Sequence, residues 1–440
     1  MVAGLRDIDP VGRRIRVARW RLVSGFFYTW MFEGRPSGVP TLSVGRGPAF
    51  PEERMKFFSF HLMPWPYLPA DYSGSAWITV PNELYDPPRG RDLYNRYLDE
   101  LEYAEQVGFD GLVVNEHHQT AYGSMPSPNL FAAMLARRTS RAKIAVIGNA
   151  LPLYDPPTRV AEEFAVLDVV TGGRLIAGMV VGGGPEYYSS GINPAQARGR
   201  FAEALDLVLQ AWTRPGPFEF HGEYYQIPKV NTWPRPLQQP HPPVWIPGMG
   251  SRETMELVAA RGFSYVGLPF FHISVFERNY AEFRRVWLEA GREPAPENLG
   301  LLLPIYVAET DARARAEFEE HLWYFAHRLL NGVQIVPPGY QSVPSAVRLM
   351  DNASKYLLNV PDWETVEAGS YAIVGSPETV TQKLTDHIHR LGAGNLLGLF
   401  QLGTLPAELT RANLTLFAEQ VMPTLRKEFA AGPVWPEVTA

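Results

Sequence analysis

An apolar run at Gly111–Asn115 breaks into Glu116–His117–His118. Imidazole titrates near neutral pH, so such a pair can take or give a proton under ordinary conditions. Neighbouring side chains of an extended segment point to opposite sides, so only one of the two can face a shared cavity directly. Two structural histidines at a strand end remain an equal alternative. Two glycine-bearing turns could serve a different chemistry. Gly182–Gly183–Gly184 precedes Pro185–Glu186, and consecutive glycines expose amides to a close ligand, though a run of this kind can also be a flexible loop. Gly248–Met249–Gly250–Ser251 leads through Arg252–Glu253–Thr254 into a helical pattern. The orphan amides and positive dipole end of a helix start suit a phosphate, and Ser251 fits equally well as an ordinary N-cap.

Other chemistries lack their residues. The chain contains no cysteine, which removes disulfides, a thiolate nucleophile and a thiolate metal site. His387 and His389 lie two apart in a helical stretch and share no face, so no metal site is expected. No HExxH, P-loop or GxSxG pattern occurs. Tyr187–Tyr188 and Trp65 read as core or rim residues as readily as substrate contacts. The remaining groups point to a borrowed organic cofactor.

Those residues need elements to hold them. Eight short apolar runs stand out, at Lys56–Leu62, Gly111–Asn115, Lys143–Ala150, Leu175–Val181, Val244–Pro247, Ser264–Leu268, Leu301–Val307 and Asn395–Gln401. Most are uniformly apolar, as parallel strands covered on both faces must be. Helical patterns alternate with them, at Asp92–Gln106, Asn129–Arg137, Arg159–Val169, Arg200–Trp212, Arg252–Ala260, Val275–Ala290, Ala312–Leu330 and Glu378–Arg390, with Ala407–Phe429 closing the chain. In Arg200–Trp212 the residues Phe201, Leu205, Val208 and Leu209 form one stripe. Eight strands alternating with helices predict an α/β fold, a (β/α)8 TIM barrel of parallel strands with insertions. A doubly wound open sheet is the second choice, but it wants a glycine turn after the first strand, where this chain has Met63–Pro64–Trp65–Pro66. Two insertions interrupt the alternation: Phe218–Ile227, expected to form two short strands around His221–Gly222, and the irregular Asn331–Gly369, whose length suits a lid.

The chain has 440 residues, 46% of them hydrophobic and 20% charged, with a formal net charge of -6. That is too apolar for disorder and too acidic for a nucleic-acid face. No apolar run approaches the ~20 residues a bilayer needs. Residues 1–54 carry nine arginines and no lysine, with an apolar stretch at Leu22–Phe32 but no clear small-residue cleavage site. They read as an extension outside the core, with the domain running from Met55 to about residue 430 and a cytoplasmic location.

The ordered set of motifs resembles the bacterial luciferase-like family of flavin-dependent monooxygenases. The resemblance spans about Met55 to Arg426. It rests on Glu116–His118, Arg159-x-Ala161–Glu162–Glu163 with Leu167–Asp168, Gly172–Gly173–Arg174–Leu175-x-x-Gly178, and Arg200–Phe201-x-Glu203. It continues with Pro234–Arg235–Pro236–Leu237–Gln238, Pro240–His241–Pro242–Pro243, Gly375–Ser376–Pro377–Glu378–Thr379 and the ending Phe417–Arg426. It implies reduced FMN, supplied by a separate NAD(P)H-dependent flavin reductase, bound at the C-terminal ends of the strands. Oxygen would add at flavin C4a, and the peroxyflavin would oxygenate a small apolar substrate. His117 would act as acid/base, with His118 its neighbour or support. Gly148–Asn149–Ala150 would pass against the ring, Asn149 and Ala150 binding the cofactor. Gly182, Gly183, Gly184, Gly248, Met249, Gly250, Ser251 and Thr254 would hold the phosphate. Luciferase carries an arginine at the end of its fourth strand where this chain has Val181, so phosphate must lean on backbone amides or Arg252. Trp65, Tyr122, Phe270 and Phe271 would seal the mouth, and a homodimer is expected through helices near the second and third strands. F420-dependent hydride transfer on the same barrel, or flavin binding without catalysis, are the alternatives.

Overall fold

The computed structural model describes residues 17–22, 25–30, 55–332, 343, 347 and 350–435. The chain divides into two compact units, Met1–Glu52 and Glu53–Ala440. In the first, Val17–Leu22 pairs antiparallel with Gly25–Trp30; the rest of the extension lies outside the described residues.

The second unit is a closed ring of eight parallel strands. In chain order they are β1 (Lys56–Phe60), β2 (Gly111–Val114), β3 (Lys143–Ala150), β4 (Leu175–Val180), β5 (Val244–Gly248), β6 (Ser264–Gly267), β7 (Leu299–Val307) and β8 (Asn395–Leu399). Each pairs with its successor, and β8 returns to β1 through Asn395↔Lys56 to Leu399↔Phe60. The expected TIM barrel is therefore present, built from the eight apolar runs. The rings of Phe58 on β1 and Trp245 on β5 meet edge to face at 5.1 Å. These strands lie on opposite sides of the ring, so the lumen is packed with side chains rather than open.

Glycine is required where β3 and β4 press together. The ladder slips between Val146 and Asn149. A Cβ on Gly148 would stand 2.6 Å from the Gly178 carbonyl carbon, and one on Gly178 would stand 1.8 Å from the Val146 oxygen.

The helices that matter for the site are α1 (Pro87–Gln106), α2 (Pro128–Arg138), α3 (Thr158–Thr171), α4 (Gly184–Ser190), α5 (Ala197–Thr213), α6 (Arg252–Arg261), α7 (Ile273–Glu289) and α8 (Asp311–Tyr324). Several family motifs hold this shell together. Asp168 at the end of α3 accepts from the Gln238 amide at 2.8 Å and its carboxamide at 2.6 Å. Arg174 donates to the carbonyls of Ala136, Thr139 and Ala142, closing the C-terminal end of α2, where such acceptors are orphaned.

Four features depart from the sequence reading. The helix expected over Ala312–Leu330 stops at Tyr324 and widens into a π turn at Phe325–Leu329. The closing helix is likewise broken by a π turn at Phe417–Val421. Gly184 does not stay in a loop but opens the short helix α4. Just beyond the long insertion lies a short strand that the reading did not mark, Ile373–Gly375, parallel to β7; within the insertion, 333–342 with 344–346 and 348–349 lie outside the described residues, and with them part of the lid. The other insertion pairs as expected, Phe218–His221 against Gln226–Val230.

Candidate active site

The last ladder residue of β2 is Val114, so Asn115 to His118 project from a loop at the C-terminal end of the ring. The two histidines take different partners. His117 Nδ1 lies 2.9 Å from Glu186 Oε1, and Glu186 Oε2 accepts from the Gly183 amide at 3.0 Å. His118 Nε2 lies 2.9 Å from Glu116 Oε1. Glu116 Oε2 accepts from Asn149 Nδ2 at 3.0 Å and from the Tyr154 hydroxyl at 2.7 Å, with the Ala150 amide at 3.4 Å. A buried carboxylate survives when donors surround it in this way.

Burial alone would lower the His118 pKa. The bond to Glu116 and the charges of Glu116 and Glu186 outweigh it and raise the pKa above 6.5. Further support comes from behind: Asn129 Nδ2 donates to Asn149 Oδ1 at 3.0 Å and to Glu163 Oε2 at 2.7 Å. The chain Glu163–Asn129–Asn149–Glu116–His118 thus ties α3, α2, β3 and the β2 loop together.

The sequence expectations divide accordingly. His117, Ala150, Gly182 and Gly183 come together: a Cβ on Gly182 would meet Ala150 Cβ at 3.3 Å, and Gly182 has φ +90°, which glycine tolerates. Gly184 is the first residue of α4. The Asn149 carboxamide is committed to Glu116 and Asn129, leaving its backbone for a ligand. The Gly183 amide is committed to Glu186. Gly248, Met249, Gly250, Ser251 and Thr254 lie at the end of β5, the next strand in the ring. Ser251 caps α6, accepting from the Thr254 amide and lying 2.7 Å from the Thr254 hydroxyl. Arg252 is held by Glu256, Glu282 and Glu289, so it is no idle cation awaiting a phosphate. Glu186, the third residue of α4, was missed by the sequence reading; its place directly after the glycines and Pro185 was the only signal.

The aromatic wall also differs from expectation. Trp77 and Tyr122 stack at 4.8 Å, and both press against the His117 ring, at 5.3 and 5.0 Å. Phe325, in the π turn, joins Tyr122 at 5.5 Å to Phe270 at 4.8 Å. Trp65 instead packs with Tyr67 and Tyr85, and Phe271 with Tyr356. Met63, Gln119 and Phe270 adopt left-handed backbone, with φ of 52°, 51° and 74°. All three follow barrel strands at the C-terminal end, where strained backbone commonly accompanies function.

A flavin can be tested against these groups. Of the buried polar atoms without a hydrogen-bond partner among the described residues, three come from the segments just after barrel strands: Trp65 Nε1, Asn115 Oδ1 and Gln401 Oε1. They follow β1, β2 and β8, neighbours in the ring, and combine one donor with two acceptors. The edge of an isoalloxazine carries both N–H and C=O groups, so this set fits it. Among the described residues no cluster of three or more His, Asp or Glu could hold a metal.

Residues 76–395 match the luciferase-like monooxygenase family. The chain belongs to it. Protein y4vJ of Sinorhizobium fredii, uncharacterized, is 35% identical over 75% of this chain and 91% of its own length. The 2,5-diketocamphane 1,2-monooxygenase 2 of Pseudomonas putida is 25% identical over 69% of this chain and 85% of its own. Among solved structures, the oxygenating constituent of Pseudomonas putida 3,6-diketocamphane monooxygenase, in complex with FMN, superposes with a TM-score of 0.66 at 21% identity, covering 87% of this chain and all of that one. An F420-dependent secondary alcohol dehydrogenase shares the fold at a TM-score of 0.58 and 17% identity, over 84% and 98% of the two chains. The family's barrel is thus shared by enzymes of both cofactors.

Proposed function

We propose that this protein is the oxygenase of a two-component system, using FMN reduced by a separate NAD(P)H-dependent reductase, with O2, to oxygenate a small apolar organic molecule in the cytoplasm. The observation that carries this reading is the His117–Glu186–Gly183 link, which sets an imidazole and a glycine turn side by side at the end of the ring where barrel enzymes work.

Reduced FMN, when bound, supplies the electrons that activate O2. The protein's own part is to hold, exclude and protonate. Asn115, Gln401 and Trp65 would meet the polar edge of the ring, and Gly148–Ala150 would flank it; the turn Gly182–Gly184, through the Gly182 and Gly184 amides since that of Gly183 is given to Glu186, and the turn Gly248–Thr254, through backbone amides and the Ser251 and Thr254 hydroxyls, would receive the phosphate. His117 holds a proton on Nδ1 against Glu186, leaving Nε2 to accept or donate one at the reacting oxygen. Trp77, Tyr122, Phe325 and Phe270 keep water out and favour an apolar substrate.

The test is a titration with reduced FMN and with reduced F420, without and with air, followed by product mass spectrometry over a library of cyclic ketones, terpenes and aromatic amides. Reduced FMN should bind, and air should then yield a product 16 mass units heavier than its substrate. Binding of F420 alone with substrate reduction supports hydride transfer instead, and flavin binding without oxygen consumption supports a carrier.

A homodimer is part of the same proposal. Leu130 and Met134 on α2, and Val166, Val169 and Val170 on the adjoining α3, are all exposed, from 44% to 61%. Monomers rarely leave such apolar clusters uncovered. The pair Leu130→Asp with Val166→Glu should convert a dimer to a monomer in light scattering while leaving circular dichroism unchanged; a wild-type monomer would refute the assignment. Among the described residues no helix is long and apolar enough to cross a membrane.

A further inference from the structure

We infer that Glu186 is a positioning residue that selects which nitrogen of His117 works, and that it does so from a helix slung between glycine hinges. This rests on the reading of His117 as the working imidazole. Free imidazole side chains divide their proton between the two nitrogens, and the hydrogen bond made by one nitrogen decides the state of the other. Here the partner of Nδ1 is a carboxylate at 2.9 Å, which accepts only. The proton therefore resides on Nδ1. His117 Nε2 makes no hydrogen bond among the described residues, which leaves it as the proton acceptor facing the reaction.

The carboxylate is itself held in place. Its second oxygen takes the Gly183 amide at 3.0 Å, and the side chain is 8% exposed. Trp77 and Tyr122 meet the imidazole at interplanar angles of 79° and 77°, so the ring cannot turn over without moving them. The helix that carries Glu186 is only seven residues long. Gly182, with φ +90°, precedes it and Gly191, with φ +68°, ends it. Glycine at both ends lets α4 swing as a unit with little backbone cost. A movement of the glycine turn on ligand docking would then be felt at His117 through one carboxylate, since the same group holds the Gly183 amide and the Nδ1 proton.

The experiment is nitrogen-15 NMR of the imidazoles in the flavin-free protein, with His117 assigned by comparison with His117→Gln. The unaltered protein should show His117 protonated on Nδ1, with that proton shifted downfield as charge-assisted hydrogen bonds are. In Glu186→Ala the Nε2-protonated form should become the major one. FMN affinity should change by less than about threefold, while product formed per flavin oxidised should fall about tenfold or more, as when the carboxylate partner of a working histidine is lost. An Nε2 proton in the unaltered protein, or an unchanged tautomer in Glu186→Ala, overturns the inference. The unaltered-protein spectrum decides even if the variant does not fold. These spectra need no flavin. A protein that shows the Nδ1 proton but binds no flavin would refute the proposed function and leave Glu186 as the partner of His117.

Discussion

His117→Ala will still bind reduced FMN but will release hydrogen peroxide instead of product. The ring touches Trp77, Tyr122 and Glu186 and carries no main-chain strut of the barrel, so its removal trims the mouth without unmaking the fold. A positioned acid/base contributes roughly 10²–10⁴ in rate, and product formation should fall by about that factor. Oxygen consumption, which needs no such proton, should fall far less. The measurements are FMN fluorescence for binding, an oxygen electrode for consumption, and peroxide and product assays for the split. Product yield equal to that of the unaltered enzyme would remove His117 from its role.

Glu116→Ala will be the most destabilising single change at the site. It deprives the His118 ring, the Asn149 carboxamide and the Tyr154 hydroxyl of one shared acceptor. Stranding the partners of a buried ion pair costs about 3–5 kcal/mol, so the urea midpoint should fall markedly. The loss will depend on pH. His118 has its pKa raised above 6.5 in the folded protein, through Glu116 and Glu186 against the pull of burial. A group whose folded pKa is raised contributes stability that is fully present below the unfolded value and is lost as pH rises through the folded one. The stability gap between unaltered and Glu116→Ala protein should therefore be widest below pH 6.5 and narrow on the alkaline side. A gap constant with pH would show that His118 does not bind its proton more tightly on folding. Glu116→Gln, which keeps an acceptor but not the charge, should recover part of the stability and little of the pH dependence.

The amino-acid sequence by itself determined the ring. Uniformly apolar runs alternating with amphipathic stretches leave few ways to cover both faces of every strand, and the eight runs it marks are the eight strands observed. Side-chain period did not separate His117 from His118, because both lie in a loop past Val114, the last ladder residue of β2, and it is their different carboxylate partners that tell them apart. What the sequence left open was the identity of partners. Glu186 lies 69 residues from His117 and Asn149 lies 33 from Glu116; local pattern carries no record of such pairs, because closure of the ring, and not spacing along the chain, brings them together. The same cause moved the aromatic wall: the π turn that follows α8 aims Phe325 at Tyr122, while Trp65, in the loop after β1, turns toward Tyr67 and Tyr85. Only the tertiary structure could decide whether Gly183 keeps its amide for a ligand or gives it to Glu186. That choice depends on where two oxygens of one side chain come to rest, which no count of residues along the chain contains.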